Sequence, residues 1–173
     1  MSVIGNRAQN LALGVNLGWI QQGAAYGGRP IGEMTADLER IRNHAGLAGY
    51  TGFSGYIDVA LSKLNSGQPP TSVIPEINAL VGTFQGGSSG QAAQALSLGI
   101  NLGWLQQGAR AGNRPVSQAI DDLNRVKQHA PLAGYRAYEG YVEAALSKLQ
   151  SGQPISAIGG DVTTLISLFQ GQV

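Results

Sequence analysis

Apolar residues recur at intervals of three or four through most of the chain, the spacing that places them on one face of an α-helix. In the first half this pattern covers four stretches, at about residues 8–23, 29–46, 52–65 and 74–85. Pro30 suits the first turn of the second stretch, and Gly67 with Pro69 ends the third. The chain shows neither sustained alternation nor an Asn-Gly hairpin turn. The pattern predicts an all-α protein with about eight short helices.

The second half of the chain repeats the first. Residues 13–19 (LGVNLGW) return as residues 98–104 (LGINLGW), and the offset of 85 holds without a gap to the segment Phe-Gln-Gly at 84–86 and 169–171. About half of the aligned positions are identical. We therefore predict a tandem duplication of a four-helix unit, with unit 1 at residues 1–86, a flexible Gly/Ser linker at 87–90 and unit 2 at 91–173.

The two units are expected to pack against each other with pseudo-twofold symmetry, because a unit of this size is only marginally able to bury a stable core alone. Gly14 and Gly18, repeated as Gly99 and Gly103, lie four residues apart on one helix face, where they would let another backbone approach closely. Each glycine costs a helix about 1 kcal/mol relative to alanine. We therefore expect a packing reason for their presence.

Composition argues against several classes of function. Charged residues are 12% of the chain, and 11 basic against 10 acidic residues give a net charge of +1 with no basic stripe, so we predict no nucleic-acid partner. The apolar runs are only a few residues long and the first residues do not resemble a signal peptide. We therefore expect no membrane association and a cytoplasmic location. The absence of cysteine removes disulfides, thiolate metal sites and a cysteine nucleophile.

Comparison of the two copies indicates which positions tolerate change. Most outer positions of the second helix differ, but one narrow sector beside the apolar stripe keeps a row of Asp, Arg and His: Asp37, Arg40 and His44, repeated as Asp122, Arg125 and His129. One interpretation is a structural network, in which the aspartate pairs with the arginine three residues on and the histidine lies near the helix C-terminus. The other is the polar wall of a ligand pocket. One histidine per copy argues against a metal site.

In the first helix, most positions on every side are identical in the two copies, including Asn16, Trp19, Gln21 and Gln22. We expect a helix retained on every side to be buried on every side, at the centre of its unit. Its buried amides then need partners, which are either neighbouring helix ends or a bound molecule. Trp19 offers a flat apolar face beside directional amides, which suits a small polar or aromatic ligand or a sugar. The other interpretation is that Trp19 anchors the core.

Two further segments contain candidate residues. The loop GGRP at 27–30, repeated as GNRP, places glycine and Arg29 ahead of a helix, a pattern of low specificity that predicts an anion site. Its spacing matches no nucleotide-binding glycine motif, and the alternative is an ion pair of Arg29 with Asp37 or a contact with a neighbouring carbonyl. Tyr50 and Tyr56 flank the start of the third helix, where we expect them to seal the core with the hydroxyl outward.

These positions favour a binding module over an enzyme. Ser62 with His44 is the serine–histidine combination kept in both copies, and Ser62 lies inside a predicted helix, without the context of an activated nucleophile. We therefore predict a non-enzymatic module that needs no cofactor or metal and binds a small polar or aromatic ligand, anionic or a sugar, at two equivalent sites or one shared site. A sequestering or immunity-type protein, or a helical lectin, would have these properties.

The alternative is a structural or interaction protein, with a protein partner or as a homodimer, in which the retained residues serve only the fold. The predicted ligand-binding residues are those that recur and carry side chains suited to a polar ligand: Asn16, Trp19, Gln22, Arg29, Arg40, His44 and Tyr50, with their counterparts Asn101, Trp104, Gln107, Arg114, Arg125, His129 and Tyr135.

Overall fold

The computed structural model of the protein describes residues 6–172. In this range the chain forms eight α-helices: α1 Arg7–Tyr26, α2 Ile31–Ala48, α3 Ser54–Asn65, α4 Ile74–Gly87, α5 Gly90–Ala111, α6 Val116–Leu132, α7 Glu139–Gln150 and α8 Gly159–Gln170. Short 3₁₀ helices at Pro70–Val73 and Ile155–Ile158, which the periodicity did not predict, precede α4 and α8. No strand occurs in residues 6–172. The all-α prediction is confirmed, and the four stretches of the first half match α1 to α4 within a few residues.

Local chemistry sets the helix ends. The Asn6 side chain accepts a hydrogen bond from the backbone N–H of Gln9 at 3.1 Å, which satisfies a free donor at the start of α1. Pro30 directly precedes α2, where its missing N–H is harmless. We expected Gly46 to end α2, but the helix continues to Ala48 and ends at Gly49, whose φ of 92° lies in the left-handed region that glycine adopts easily.

Helices α1 and α5 pack backbone to backbone at four glycines. A Cβ atom on Gly14 would lie 2.9 Å from the Cα of Gly99, and one on Gly18 would lie 2.7 Å from the Cα of Gly103. Because the contact positions rise together along both helices, α1 and α5 run parallel. Any side chain larger than hydrogen would force them apart. The expected packing reason for these glycines is confirmed.

The two hydrophobic cores exchange residues through this helix pair. Leu11 and Val15 of α1 pack into the core formed mainly by α5 to α8, while Leu96 and Ile100 of α5 pack into the core formed by α1 to α4. The expectation that α1 is buried on every side is confirmed for residues 9–24, none of which is exposed, but the helix is not the centre of its own unit alone. The helix lies between two cores, and Trp19 on its outer side is only half-buried.

The connection between the halves is short. Of the segment 87–90, which we expected to be a linker, only Ser88 and Ser89 lie outside helices. None of the helices in residues 6–172 combines the length and apolar character that crossing a bilayer requires.

Candidate functional site

The retained arginine before α2 is held in a buried ion pair. Arg29 Nε and Nη2 donate to the two carboxylate oxygens of Asp37 at 2.6 and 2.7 Å. Asp37 is fully buried and Arg29 is 8% exposed. The arginine stem crosses Gly23, where a Cβ atom would lie 2.5 Å from the Arg29 Cβ. The ion-pair alternative for this loop is confirmed, and the guanidinium is not free to form a separate anion site.

Arg40 extends the same network toward solvent. Its Nη2 donates to Asp37 at 2.6 Å and its Nε donates to Asn16 Oδ1 at 2.8 Å. The Arg40 side chain is 45% exposed, and its Nη1 has no hydrogen-bond partner among residues 6–172. Burial raises the pKa of the Asp37 carboxyl, and its bonds to the two arginines oppose that shift. The result is a fixed guanidinium whose Nη1 group is available to donate.

Amide side chains tie the two halves together reciprocally. Arg29 Nη1 donates to Gln107 Oε1 at 2.8 Å, and Arg114 Nη1 donates to Gln22 Oε1 at 2.7 Å. The same exchange joins the tryptophans to the other helix, since Trp19 Nε1 donates to Gln106 and Trp104 Nε1 donates to Gln21, both at 2.8 Å. The buried glutamines therefore find protein partners in the other half of the chain.

Trp19 lies under two cations. The guanidinium carbons of Arg29 and Arg40 lie 5.1 and 5.7 Å from the ring centroid, within the range of cation–π attraction. Trp104 has the same relation to Arg114 and Arg125, at 5.0 and 5.8 Å. Each retained tryptophan is half-buried and thus sits between core and surface.

A groove of about 870 Å³ opens beside Trp19. Arg29 and Arg40 line it on one side, and Gln106, Gln107 and Arg110 of α5 line it on the other. The start of α8 forms its end at Gly159. This volume falls within the range of small-molecule sites in proteins. The groove therefore brings four predicted site residues, Trp19, Arg29, Arg40 and Gln107, to one surface.

The corresponding region around Trp104 has a different set of side chains. Gly32, Ala36 and Gly159 line the groove at Trp19, and the 85-residue offset aligns them with Ser117, Asp121 and Ile74. A cavity of about 340 Å³ near Trp104 lies on a different side of that ring, against Asn101, Arg125 and His129. The two tryptophans thus make equivalent hydrogen bonds to glutamine but have different surroundings.

The remaining predicted residues lie away from the large groove. Asn16 and Gln22 are buried and make the hydrogen bonds described above. Arg114 is buried and bonds to Asp122. His44 Nδ1 lies 2.7 Å from Gln9 Oε1, an arrangement that His129 repeats with Gln94. Burial lowers the pKa of both histidines, and the neighbouring Arg40 or Arg125 lowers it further. We expected the helix C-terminus to favour a charged histidine, but these surroundings favour the neutral ring.

The four tyrosines at aligned positions near the start of α3 and of α7 form two pairs that differ in burial. Tyr56 and Tyr141 are each 41% exposed, whereas Tyr50 and Tyr135 are buried. The Tyr50 hydroxyl donates to Asn10 Oδ1 at 2.5 Å, and the Tyr135 hydroxyl is buried without a partner among residues 6–172. The expectation of an outward hydroxyl is therefore wrong for Tyr50 and Tyr135, and neither residue reaches the groove.

Several groove residues were not predicted from the sequence, because they are not identical in the two copies. Glu33, Arg110 and Gly159 differ between the copies, where they align with Gln118, Ala25 and Ile74. The sequence does contain a signal that could have identified this groove. Several small residues of one copy align with larger residues of the other. Among residues 6–172, no three His, Asp or Glu side chains come close enough to hold a metal ion.

No family model matches the chain, and no curated protein or solved structure shows significant similarity to it.

Proposed function

We propose that the protein is a non-enzymatic binding module whose main site is the groove beside Trp19. The ligand is a small molecule with a flat face and an acid group, such as an aromatic acid or a sugar acid. The observation that carries the proposal is the free Nη1 of Arg40, which lies beside a half-buried tryptophan in a groove of ligand size.

The chemistry of the lining supports this class of ligand. The tryptophan ring provides a flat apolar surface, and Arg40 provides a donor suited to a carboxylate or a phosphate. Because Asp37 and Asn16 already fix the guanidinium, binding would cost little side-chain ordering. Three arginines line the groove and meet two carboxylates, Glu33 in the lining and Asp37 buried behind it, so one positive charge is in excess and favours an anion.

The same lining supports binding without catalysis. Histidine and lysine are absent from the described groove residues, and Glu33 is paired with two arginines. The hydrogen bond from Arg110 is the largest influence that lowers the pKa of Glu33, so its carboxylate stays ionised and is a poor proton donor.

We further propose that the chain is a duplicated four-helix unit with its halves related by a pseudo-twofold axis along α1 and α5. The reciprocal glycine contacts, the exchanged core residues and the paired Trp–Gln bonds support this arrangement. We infer that divergence then made the halves unequal. The two equivalent sites predicted from the repeat become one large site at Trp19 and a smaller cavity near Trp104.

A blocked groove tests the binding proposal. Gly159→Ile introduces the residue that stands at the aligned position 74, and the ideal Cβ at Gly159 has only Ala109 within reach, at 4.0 Å. Gly82→Ser is the matched control, because Ser167 is its aligned residue and Gly82 lies on α4 outside the groove. Saturation-transfer NMR would follow a mixture of benzoate, glucuronate, benzamide and glucose.

We expect benzoate or glucuronate to give signals with the wild-type protein and with Gly82→Ser, and to lose them with Gly159→Ile. Absence of signals with the wild-type protein, or equal signals with Gly159→Ile, would contradict the proposed site.

A structural or protein-interaction role is the second candidate, and one observation favours it. Most retained polar residues bond to one another, as Gln22 does with Arg114 and Arg29 does with Asp37. This pattern is what a sequence kept only for its fold would show. Intact folding together with no ligand signal in the mixture above would favour this role.

A further inference from the structure

A carboxylate of the protein itself already lies between two arginines of the groove. Glu33 Oε1 is 3.2 Å from Arg29 Nη1 and 2.9 Å from Arg110 Nη1. Glu33 belongs to α2 and Arg110 to α5, so the second ion pair joins two walls of the groove. The Glu33 and Arg110 side chains are 42% and 49% exposed, which leaves both free to exchange partners.

The second half of the chain shows that the fold does not require this bridge. At the aligned positions, Glu33 is replaced by Gln118 and Arg110 by Ala25. Arg114 is nevertheless held against Asp122 and Gln22 just as Arg29 is held against Asp37 and Gln107. The Glu33–Arg110 pair is thus an addition on the side of the molecule that has the large groove.

The bridge also contributes little to holding Arg29. That guanidinium already donates to both oxygens of Asp37 and to Gln107, and it is nearly buried. An exposed ion pair such as Glu33–Arg110 is a weak interaction, because water screens its charges and ordering two long side chains opposes it. A ligand's acid group can therefore replace Glu33 as the partner of Arg110.

We propose that Glu33 is an internal competitor for the acid group of the ligand: it holds Arg110 in the ligand-free groove and releases it to the bound acid. The inference rests on the proposed function and adds a regulatory residue to that site. Arg40 supplies the fixed donor and Arg110 the mobile one. Because a neutral ligand does not need Arg110, the competition lowers the affinity for acids and leaves the affinity for neutral ligands unchanged.

Glu33→Gln tests the proposal with a residue that the aligned position already carries. Benzoate is the acidic probe and benzamide its neutral match, and each is titrated while NMR follows the indole N–H of Trp19. We expect Glu33→Gln to bind benzoate about threefold more tightly than the wild-type protein, with benzamide unchanged. Arg110→Ala, which installs the residue at position 25, should bind benzoate about threefold more weakly.

Gln118→Glu adds a carboxylate at the aligned position of the other half and should leave benzoate binding at Trp19 unchanged. Equal or weaker benzoate binding by Glu33→Gln, or an equal gain for benzamide, would overturn the competitor role and leave the proposed site intact. Unchanged binding by Arg110→Ala would also overturn it. Failure of benzoate to shift the Trp19 signal in every variant would contradict the proposed function itself, and the competitor role with it.

Discussion

Gly18 and Gly103 face each other so closely that a Cβ atom built on either one would lie 2.7 Å from the Cα of the other. Each glycine also approaches the backbone carbonyl of the opposite helix, where an added Cβ would lie 2.3 Å from an oxygen. These atoms belong to the backbone, so neither helix can relieve the clash by a side-chain rotation. The contact between α1 and α5 thus depends on the absence of side chains.

Gly18→Ala should therefore destabilise the protein despite the higher helix propensity of alanine. Overpacking a tight contact costs about 1–3 kcal/mol, and we expect the upper end because backbone must move. Urea denaturation would measure the free energy of unfolding. Gly82→Ala is the control, since a Cβ there meets nothing within 4 Å on α4, and it should stabilise the protein by about 0.5–1 kcal/mol. Equal effects of the two substitutions would contradict the close packing.

Asp37 neutralises two arginines at once, so its loss should be costly. Asp37→Asn leaves the nearly buried Arg29 with only the half-exposed Glu33 as a counter-charge, and we expect a loss of about 3 kcal/mol in the free energy of unfolding. Glu39→Gln provides the comparison, because the exposed pair of Glu39 with Arg42 should contribute at most about 1 kcal/mol. Similar losses for the two variants would show that the ion pair is not buried.

Tyr50 and Tyr135, which occupy aligned positions, should respond oppositely to removal of the hydroxyl. Tyr50 donates to Asn10, but the residue aligned with Asn10 is Ala95, and the Tyr135 hydroxyl has no partner among residues 6–172. We expect Tyr50→Phe to cost about 1 kcal/mol of stability, whereas Tyr135→Phe should be neutral or stabilising. Thermal denaturation of the two variants measures the difference. A larger loss for Tyr135→Phe would indicate a partner for that hydroxyl.

Stability should fall as the pH drops from above 7 toward 5. The pKa of His44 and of His129 in the folded protein lies below 6.5, so the unfolded chain binds more protons in this range. Their contribution is complete above the unfolded pKa and is lost as the pH falls through the folded one. Replacing both histidines with glutamine should flatten the pH profile of the unfolding free energy between pH 5 and 7. An unchanged profile would contradict the lowered pKa values.

The helices could be predicted from the sequence because each carries its own periodicity and end signals. The packing of α1 on α5 was also accessible, since Gly14 and Gly18 recur at helical spacing. The packing of Leu11 into the core of the other half could not be predicted, because periodicity identifies an apolar face but not the residues that cover it. The bond between Gln22 and Arg114 joins residues 92 positions apart, a separation that no local pattern reports.

The candidate site was predicted only in part, for a related reason. Retention between the copies identified Trp19, Arg29 and Arg40. The two arginines bond to Asp37 and lie over the Trp19 ring, an arrangement that the other half repeats. The groove, however, is lined in part by positions that differ between the copies, since Gly32 and Gly159 align with Ser117 and Ile74. Positions that are identical in the two copies thus form the contacts that both halves have in common. Positions that differ contribute to the groove beside Trp19.

The most direct test of a single main site compares the two indole N–H signals in one titration. Trp19 and Trp104 donate to equivalent glutamines at 2.8 Å, so they are matched probes on the two sides of the molecule. Trp19→Phe and Trp104→Phe would assign the signals in ¹H–¹⁵N spectra recorded with increasing benzoate. We predict that the Trp19 signal shifts at concentrations that leave Trp104 unchanged. Joint movement of both signals, movement of Trp104 alone, or no movement would contradict a site at the Trp19 groove.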